Sequence, residues 1–213
     1  MKKIKAFLFD LNGTMIDDMH YHINAWHQIV NNLGANLTYE KIKAECYGKN
    51  AEVLERIFPA RFSMEEKNKM SIEKEMQYQQ KFKPHLKLLN GLDRLLAMAS
   101  ANNIRMAIGS AAITFNIDFV LDNLNIRHYF QVLVSADDVS HSKPHSETFL
   151  ECAKRLGVES EQCIVFEDAP KGVESALNAG MKCIVLTILY EPDEFKQYPQ
   201  CNCVHKRLYR PDS

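Results

Sequence analysis

The strongest constraint on the fold is a series of short apolar runs that alternate with helical patterns along the chain. These runs show little of the apolar–polar alternation of half-exposed strands, so we expect strands that are buried on both faces of a parallel sheet. Buried strands that alternate with helices predict an α/β fold with a doubly wound parallel sheet. The predicted strands cover residues 4–9, 104–108, 132–134, 163–166 and 183–186.

The helical patterns divide into two groups. Four of them lie outside residues 15–84 and intervene between predicted strands, at residues 92–99, 113–124, 147–156 and 172–179. The others lie between residues 15 and 84, where no run is strand-like and where the longest pattern, from about 64 to 82, is highly polar. We therefore predict a sheet domain of residues 1–15 and 84–213, with residues 16–83 inserted after the first strand as a helical cap.

Length and charge limit the remaining classes of protein. The chain has 213 residues and 46% apolar content, which is enough for one sizeable core and a smaller inserted unit. Its 26 lysines and arginines nearly balance 27 aspartates and glutamates, so charge gives no reason to expect nucleic acid or a membrane surface as a partner. No apolar run approaches the roughly 20 residues that span a bilayer, and no export signal accompanies the six cysteines. We expect a monomeric, cytoplasmic protein with reduced thiols.

Polar side chains follow four of the predicted strands at their carboxyl ends, which is the edge where open parallel sheets bind ligands. Any one of these residues alone is typical of a solvated loop, but their common place in the fold indicates a site. They supply one cation, several carboxylates and several hydroxyl groups. They are Asp10, Asn12, Gly13 and Thr14 after the first strand, Gly109 and Ser110 after the second, Ser142, Lys143 and Pro144 beyond the third, and Glu167 and Asp168 after the fourth.

This combination of side chains suits phosphoryl transfer. Asp10, at the end of a strand, can attack phosphorus and carry an aspartyl phosphate. Mg²⁺ prefers oxygen ligands and neutralises charge on a transferring group, and Asp10 and Asp168 are suitable ligands for it. Lys143 supplies a positive charge beside the nucleophile, while Ser110 and nearby backbone amides can hold the phosphoryl oxygens.

Four segments, in this order along the chain, resemble the motifs of the haloacid dehalogenase superfamily. Residues 7–14 (FLFDLNGT) resemble the first motif, and Gly109-Ser110, Ser142-Lys143-Pro144 and residues 165–168 (VFED) resemble the second, third and fourth. The resemblance implies a Rossmann-like sheet core, an inserted helical cap and a Mg²⁺ cofactor.

The resemblance also implies a role for each matching residue. Asp10 would be the nucleophile, and Lys143 would stabilise it. Ser110 and Thr14 would bind the substrate phosphoryl group. The metal ligands would be Asp10, the backbone carbonyl of Asn12, and the acidic pair of Glu167 and Asp168.

Within this superfamily, two features are similar to the β-phosphoglucomutases. Residues 21–26 (YHINAW) resemble the first cap helix of that subfamily, and Lys74 falls where it keeps a cap lysine that faces the substrate. The resemblance therefore implies that His22 and Lys74 bind substrate. Two other interpretations stay open, since His22 could be a packing histidine and Lys74 could belong to a solvated helix face with opposite charges at helical spacing.

The residue at position 12 departs from the superfamily pattern. Members that act on phosphate esters carry there an aspartate that protonates the leaving group and then activates water or a second hydroxyl. Asn12 cannot shuttle a proton, and loss of a general acid/base costs about 10²–10⁴-fold in rate. Three explanations are open: an introduced substitution that traps a complex, a native residue in a slow enzyme, or a member that only binds its ligand.

A second departure lies in the cap. β-Phosphoglucomutases carry an arginine after a glycine in a cap loop, where it holds the substrate's other phosphate. The corresponding stretch here is Gly48-Lys49, and lysine lacks the bidentate geometry of arginine.

The leading hypothesis is a Mg²⁺-dependent phosphoryl-transfer enzyme that acts on a small phosphorylated metabolite, and a sugar phosphate is the expected substrate. Hydrolysis and mutase chemistry share the first half-reaction, so the choice between them stays open. The alternative hypothesis is an impaired or non-enzymatic member that binds a phosphorylated ligand, because Asn12 replaces the general acid/base.

Overall fold

The computed structural model describes residues 3–186, 189–199, 201 and 203–205. Among these residues, six strands form one parallel sheet in the order β3-β2-β1-β4-β5-β6. The strands are β1 (Ala6–Phe9), β2 (Arg105–Gly109), β3 (Val132–Val134), β4 (Cys163–Glu167), β5 (Lys182–Leu186) and β6 (Cys203–His205). The predicted α/β fold with a Rossmann-like, doubly wound parallel sheet is confirmed.

Eight α-helices lie in the part of the chain that the structure describes. They are α1 (Met19–Asn32), α2 (Tyr39–Glu45), α3 (Asn50–Ile57), α4 (Met64–Phe82), α5 (Leu92–Ala101), α6 (Thr114–Asn123), α7 (Glu147–Leu156) and α8 (Pro170–Asn178). Short 3₁₀ segments cover Lys83–His85, Arg127–Tyr129, Ala136–Asp138, Ser160–Gln162 and Pro192–Phe195. No helix in these ranges is both long and apolar enough to cross a bilayer.

The chain separates into two compact units. One unit, the sheet unit, consists of Met1–Asp17 and Lys87–Ser213, and the other, the helical unit, consists of Asp18–Leu86. All the strands belong to the sheet unit, and helices α1 to α4 make up the helical unit. That the helical unit caps a site on the sheet stays a prediction.

The core of the sheet unit explains why its strands are so apolar. Leu8 of β1, Ala107 of β2 and Val165 of β4 are fully buried in one cluster with Phe149 of α7. On the other face, the Phe9 ring stacks on Phe166 with centroids 4.6 Å apart. Both faces of the central strands are therefore covered, as continuous apolar runs require.

Candidate active site

The strand order places the candidate site at the point where the sheet reverses its direction of winding. The central strand β1 pairs with β2 on one side and β4 on the other, and the residues that follow it meet those that follow β4. The amide of Asp10 donates a hydrogen bond to the carbonyl of Phe166 at 3.0 Å, which fixes the backbone of Asp10 against the end of β4. Ligands of doubly wound sheets bind at such switch points.

Lys143 lies between two carboxylates of this site. Its Nζ donates to Oδ1 of Asp10 at 2.6 Å and to Oε1 of Glu167 at 2.7 Å. All three side chains are buried. Burial alone would lower the pKa of Lys143, but the charges and hydrogen bonds of Asp10 and Glu167 outweigh it and raise the pKa. Lys143 is thus a permanent cation beside Asp10.

The acidic pair after β4 is held by backbone and side-chain donors. Oε2 of Glu167 accepts hydrogen bonds from the amides of Asp168 and Ala169, both at 2.9 Å, just before α8 begins. Oδ1 of Asp168 accepts a hydrogen bond from the hydroxyl of Thr14 at 3.0 Å. Thr14 therefore orients a carboxylate of the site.

Two glycines allow these carboxylates to lie where they do. A Cβ atom at Gly172 would be 1.7 Å from Oε1 of Glu167, and one at Gly13 would be 2.1 Å from Oδ2 of Asp168. Gly13 also has a φ of +79°, which side chains disfavour. The first turn of α8 and the loop after β1 both approach the acidic pair closely, and larger residues at either position would displace it.

The site carries more negative than positive charge. Each of Asp10, Glu167 and Asp168 offers a carboxylate oxygen, these oxygens all lie within 4.8 Å of one another, and the ammonium of Lys143 contacts two of the three groups. Burial, together with the charges of Glu167 and Asp10, raises the pKa of Asp168 well above its usual value. A hard dication with oxygen ligands would relieve this repulsion, so the residues present fit Mg²⁺.

Ser110 and Asn12 lie at the same edge of the sheet. Ser110 directly follows β2 and is buried, and its Oγ accepts a hydrogen bond from the amide of Ala112 at 3.2 Å. Asn12 is half-buried in the turn after β1, where the amide of Gly13 donates to the carbonyl of Ile16 at 2.9 Å. Asn12 therefore stands two residues beyond Asp10, in the loop that also carries Thr14.

His22 belongs to a buried polar cluster of the helical unit. Its Nδ1 lies 2.6 Å from Nζ of Lys74, and its Nε2 lies 3.2 Å from Oδ2 of Asp18. Because an ammonium group only donates, Nδ1 must accept, and the ring proton on Nε2 then points to Asp18. The ring also stacks on Tyr78, with centroids 3.8 Å apart. Both nitrogens of His22 therefore have hydrogen-bond partners inside the helical unit.

Lys74 is buried rather than solvated. Its side chain is 3% exposed, and its Nζ also donates to Oε1 of Glu75 at 2.9 Å. The interpretation of Lys74 as part of a solvated helix face is therefore wrong. The physical reason is that α4 turns a polar face inward, where distant residues of the same unit supply its hydrogen-bond partners.

Those partners are the residues that the sequence reasoning missed. The Tyr78 hydroxyl donates a hydrogen bond to Oδ2 of Asp18 at 2.5 Å, and the side-chain amide of Asn50 donates to Oε1 of Glu75 at 2.8 Å. The spacing of Asp18 and His22, four residues apart at the start of a helix, is the one local signal that could have indicated part of this cluster. We call Asp18, His22, Lys74, Glu75 and Tyr78 the helical-unit cluster.

Seven of the nine predicted site residues fall into two hydrogen-bonded groups, and the other two, Ser110 and Asn12, lie at the same sheet edge as the first group. Asp10, Thr14, Lys143, Glu167 and Asp168 are joined by direct hydrogen bonds in the sheet unit. His22 and Lys74 are joined to each other in the helical unit, by the contacts given above.

A buried set of three carboxylates and one lysine at the switch point of a Rossmann-like sheet defines a class of protein with an acidic site whose ligands could hold a cation. The chain belongs to the haloacid dehalogenase-like hydrolase family, whose sequence pattern matches residues 7–186. It is therefore an enzyme of that family.

Individual relatives cover nearly all of the chain. A fructose-1-phosphate phosphatase of Escherichia coli (strain K12) is 29% identical over 195 residues, which are 88% of this chain and 99% of the relative. A β-phosphoglucomutase of Bacillus subtilis (strain 168) is 30% identical over 186 residues, 84% of this chain and 81% of the relative. The solved β-phosphoglucomutase of Clostridium difficile has a TM-score of 0.84 and 29% identity, and the match covers 96% of this chain and 91% of that one.

Proposed function

We propose that this enzyme transfers the phosphoryl group of a small phosphorylated sugar through a phosphorylated Asp10, with Mg²⁺ as cofactor. The observation that carries the proposal is the contact of Lys143 with both Asp10 and Glu167, next to Asp168, at the carboxyl edge of the sheet. The similarity to a fructose-1-phosphate phosphatase and to β-phosphoglucomutases supports a sugar phosphate as the substrate class.

Each residue of the site has a definite task in the first step. An oxygen of the Asp10 carboxylate forms a bond to phosphorus while the bond from phosphorus to the ester oxygen breaks. Lys143 holds the carboxylate by its Oδ1 and balances the charge that accumulates next to it. Ser110, at the end of the adjacent strand, is the proposed donor to a phosphoryl oxygen.

The proposed metal site uses Asp10, Asp168 and the Asn12 carbonyl, with Glu167 beside them. When bound, Mg²⁺ supplies positive charge to the transferring phosphoryl oxygens. Thr14 and the amides of Asp168 and Ala169 orient the acidic pair for that task.

The leaving alkoxide must take a proton, and Asn12 cannot supply it. Water is then the proposed proton source, which makes the first step slow for a poor leaving group. The second step, attack of water or of another substrate hydroxyl on the aspartyl phosphate, lacks the same help. His22 is an unsuitable substitute as a proton donor, because both of its ring nitrogens are engaged with Lys74 and Asp18 inside the helical unit.

A paired assay tests the proposal. The protein and its Asn12→Asp variant are assayed with Mg²⁺ on a panel of hexose and pentose phosphates, and phosphate release and isomer formation are both measured. We expect the variant to be faster by about 10²–10⁴-fold. If neither protein turns over any ester, the proposal fails. Because Asn12 precedes a glycine, intact mass must show that no Asn12 has been deamidated to Asp.

A second candidate function is motivated by Asn12 alone. A member that binds a sugar phosphate without turning it over would show saturable binding by calorimetry and no product in the same assay. Activity of the variant together with inactivity of the parent would assign the loss to position 12.

A further inference from the structure

The loop that carries Lys143 holds a second group of metal-ligating side chains. His141 and His145 flank the Ser142-Lys143-Pro144 motif, and Glu147 begins α7 just after it. One ligand atom from each of His141, His145 and Glu147 lies within 4.8 Å of the others. This group takes no part in the chemistry proposed for Asp10.

We propose that His141, His145 and Glu147 form a site for a transition-metal dication of the Zn²⁺ type. Two imidazoles and one carboxylate are a ligand set that favours such ions over Mg²⁺, which prefers oxygen ligands throughout. The site would bind the ion with three protein ligands and complete its coordination with water.

The distances between the candidate ligand atoms are close to those expected around a bound metal ion. Nδ1 of His141 is 2.9 Å and Nδ1 of His145 is 3.9 Å from Oε2 of Glu147, and the two rings are 4.6 Å apart between centroids. Ligand atoms around one ion with bonds of about 2.0–2.2 Å are separated by roughly 3–3.5 Å. His141 already meets this spacing, and His145 needs a small ring rotation.

The carboxylate and the loop backbone are held in place before any ion arrives. The amides of Ser140 and His141 donate to the two oxygens of Glu147 at 2.8 and 2.9 Å. The buried hydroxyl of Ser175 donates to the carbonyl of His145 at 2.7 Å. Such supporting contacts orient metal ligands and raise affinity.

The side chains that carry the ligand atoms are also accessible to solvent. The side chains of His141, His145 and Glu147 are 66%, 53% and 30% exposed. On binding, the ion takes the place of the hydrogen between Nδ1 of His141 and Oε2 of Glu147, and the neutral ring carries its one proton on Nε2. The ion also replaces the hydrogen bond of 3.2 Å that the amide of Glu147 donates to Nδ1 of His145.

Calorimetric titration with Zn²⁺ in saturating Mg²⁺ tests the site. The unmodified protein is compared with His141→Ala/His145→Ala and with the control His85→Ala/His128→Ala, which removes two other exposed histidines. We expect one bound Zn²⁺ in the protein and in the control, and an affinity lower by about 100-fold or more in the first variant. Absence of Zn²⁺ binding to the unmodified protein, or equal affinity in the first variant, would overturn the proposal.

The visible spectrum of Co²⁺ in the unmodified protein gives an independent readout that needs no variant. Nitrogen and oxygen ligands give d–d bands without thiolate charge transfer, which is the expected result. A strong charge-transfer band would place the ion on a cysteine and contradict the proposed ligands.

Discussion

The sheet unit and the helical unit each bury a charged cluster, and the two clusters are balanced differently. In the sheet unit, Asp10, Glu167 and Asp168 share the one ammonium of Lys143, and the pKa of Asp168 is raised. In the helical unit, the Lys74 ammonium donates to Glu75 at 2.9 Å, and the pKa of Glu75 is lowered.

Glu75 shows the contrast directly. The pKa of Glu75 is lowered, because, against the effect of burial, the charge of the Lys74 ammonium and the hydrogen bonds from Asn50 and Lys74 favour the ionised form. One oxygen of Glu75, Oε2, accepts no hydrogen bond from the residues that the structure describes. The helical-unit cluster therefore favours the ionised form of Glu75, whereas burial and the neighbouring carboxylates of the sheet unit disfavour the ionised form of Asp168. This difference separates a structural cluster from a candidate active site.

The largest expected effect is the loss of activity on removal of the nucleophile. In the Asn12→Asp background, Asp10→Asn should lower kcat/KM by about 10⁴-fold or more, because no covalent intermediate can form. Steady-state assay on the best substrate of the panel checks this. Asp93→Asn, which changes an exposed aspartate of the same unit, is the matched control and should leave kcat/KM unchanged. Retained activity in Asp10→Asn would mean that the cluster of the sheet unit is not the catalytic one.

The next effect concerns the stability of the sheet cluster. Without Mg²⁺, Lys143→Gln should lower the free energy of unfolding by about 3–5 kcal/mol, because it leaves buried carboxylates without their cation. Added Mg²⁺ should restore part of this loss. Urea unfolding with and without Mg²⁺ measures both, and Lys154→Gln, at a 77% exposed side chain, is the control. A loss that Mg²⁺ does not reduce would contradict the proposed metal site.

The same experiment on the helical unit should give a different pattern. Lys74→Met should lower the free energy of unfolding by about 3 kcal/mol, because Glu75 loses its buried counter-ion. Adding Glu75→Gln should recover most of that loss, and Mg²⁺ should have no effect on either variant. If Mg²⁺ stabilised Lys74→Met as much as it is expected to stabilise Lys143→Gln, the predicted difference between the two clusters would be wrong.

The smallest expected effect is a pH dependence due to Glu75. Since its pKa is lower in the folded protein than the ordinary value of 4.5, the ionised form contributes stability that is fully present above about pH 4.5. That contribution is lost as the pH falls through the folded-state pKa. The difference in unfolding free energy between the protein and Glu75→Gln should therefore shrink as the pH falls below about 4.5. If the difference in unfolding free energy instead grew at low pH, the pKa of Glu75 would be raised in the folded protein, which would contradict the prediction.

The two clusters also differ in how far the sequence could predict them. Asp10, Lys143, Glu167 and Asp168 each follow an apolar run or belong to a recognisable motif, and the topology of parallel sheets brings strand ends together. The burial of Lys74 could not be predicted in this way, because α4 looks polar and the partners of its buried face, such as His22 and Asn50, are far away in sequence.

The fold was predictable to a similar degree. The sheet could be predicted because each strand is a continuous apolar run, and such a run indicates burial on both faces without knowledge of the rest of the chain. Helix α2 could not be predicted from the sequence, because it has seven residues and buries only Ile42, which is too little for a periodic apolar pattern. The approach of Gly172 to Glu167 depends on the path of α8 over the sheet, which no local pattern encodes.

Direct detection of phosphorylated Asp10 is the measurement that tests the central claim most directly. Acetyl phosphate has a good leaving group and needs little acid catalysis, so it should phosphorylate the enzyme despite Asn12, and the slow second step should preserve the product. After acid quenching, mass spectrometry of the intact chain and of its peptides should show one phosphoryl group, on Asp10, only when Mg²⁺ is present and not in Asp10→Asn. An unmodified chain, or a phosphoryl group on another residue, would contradict the account.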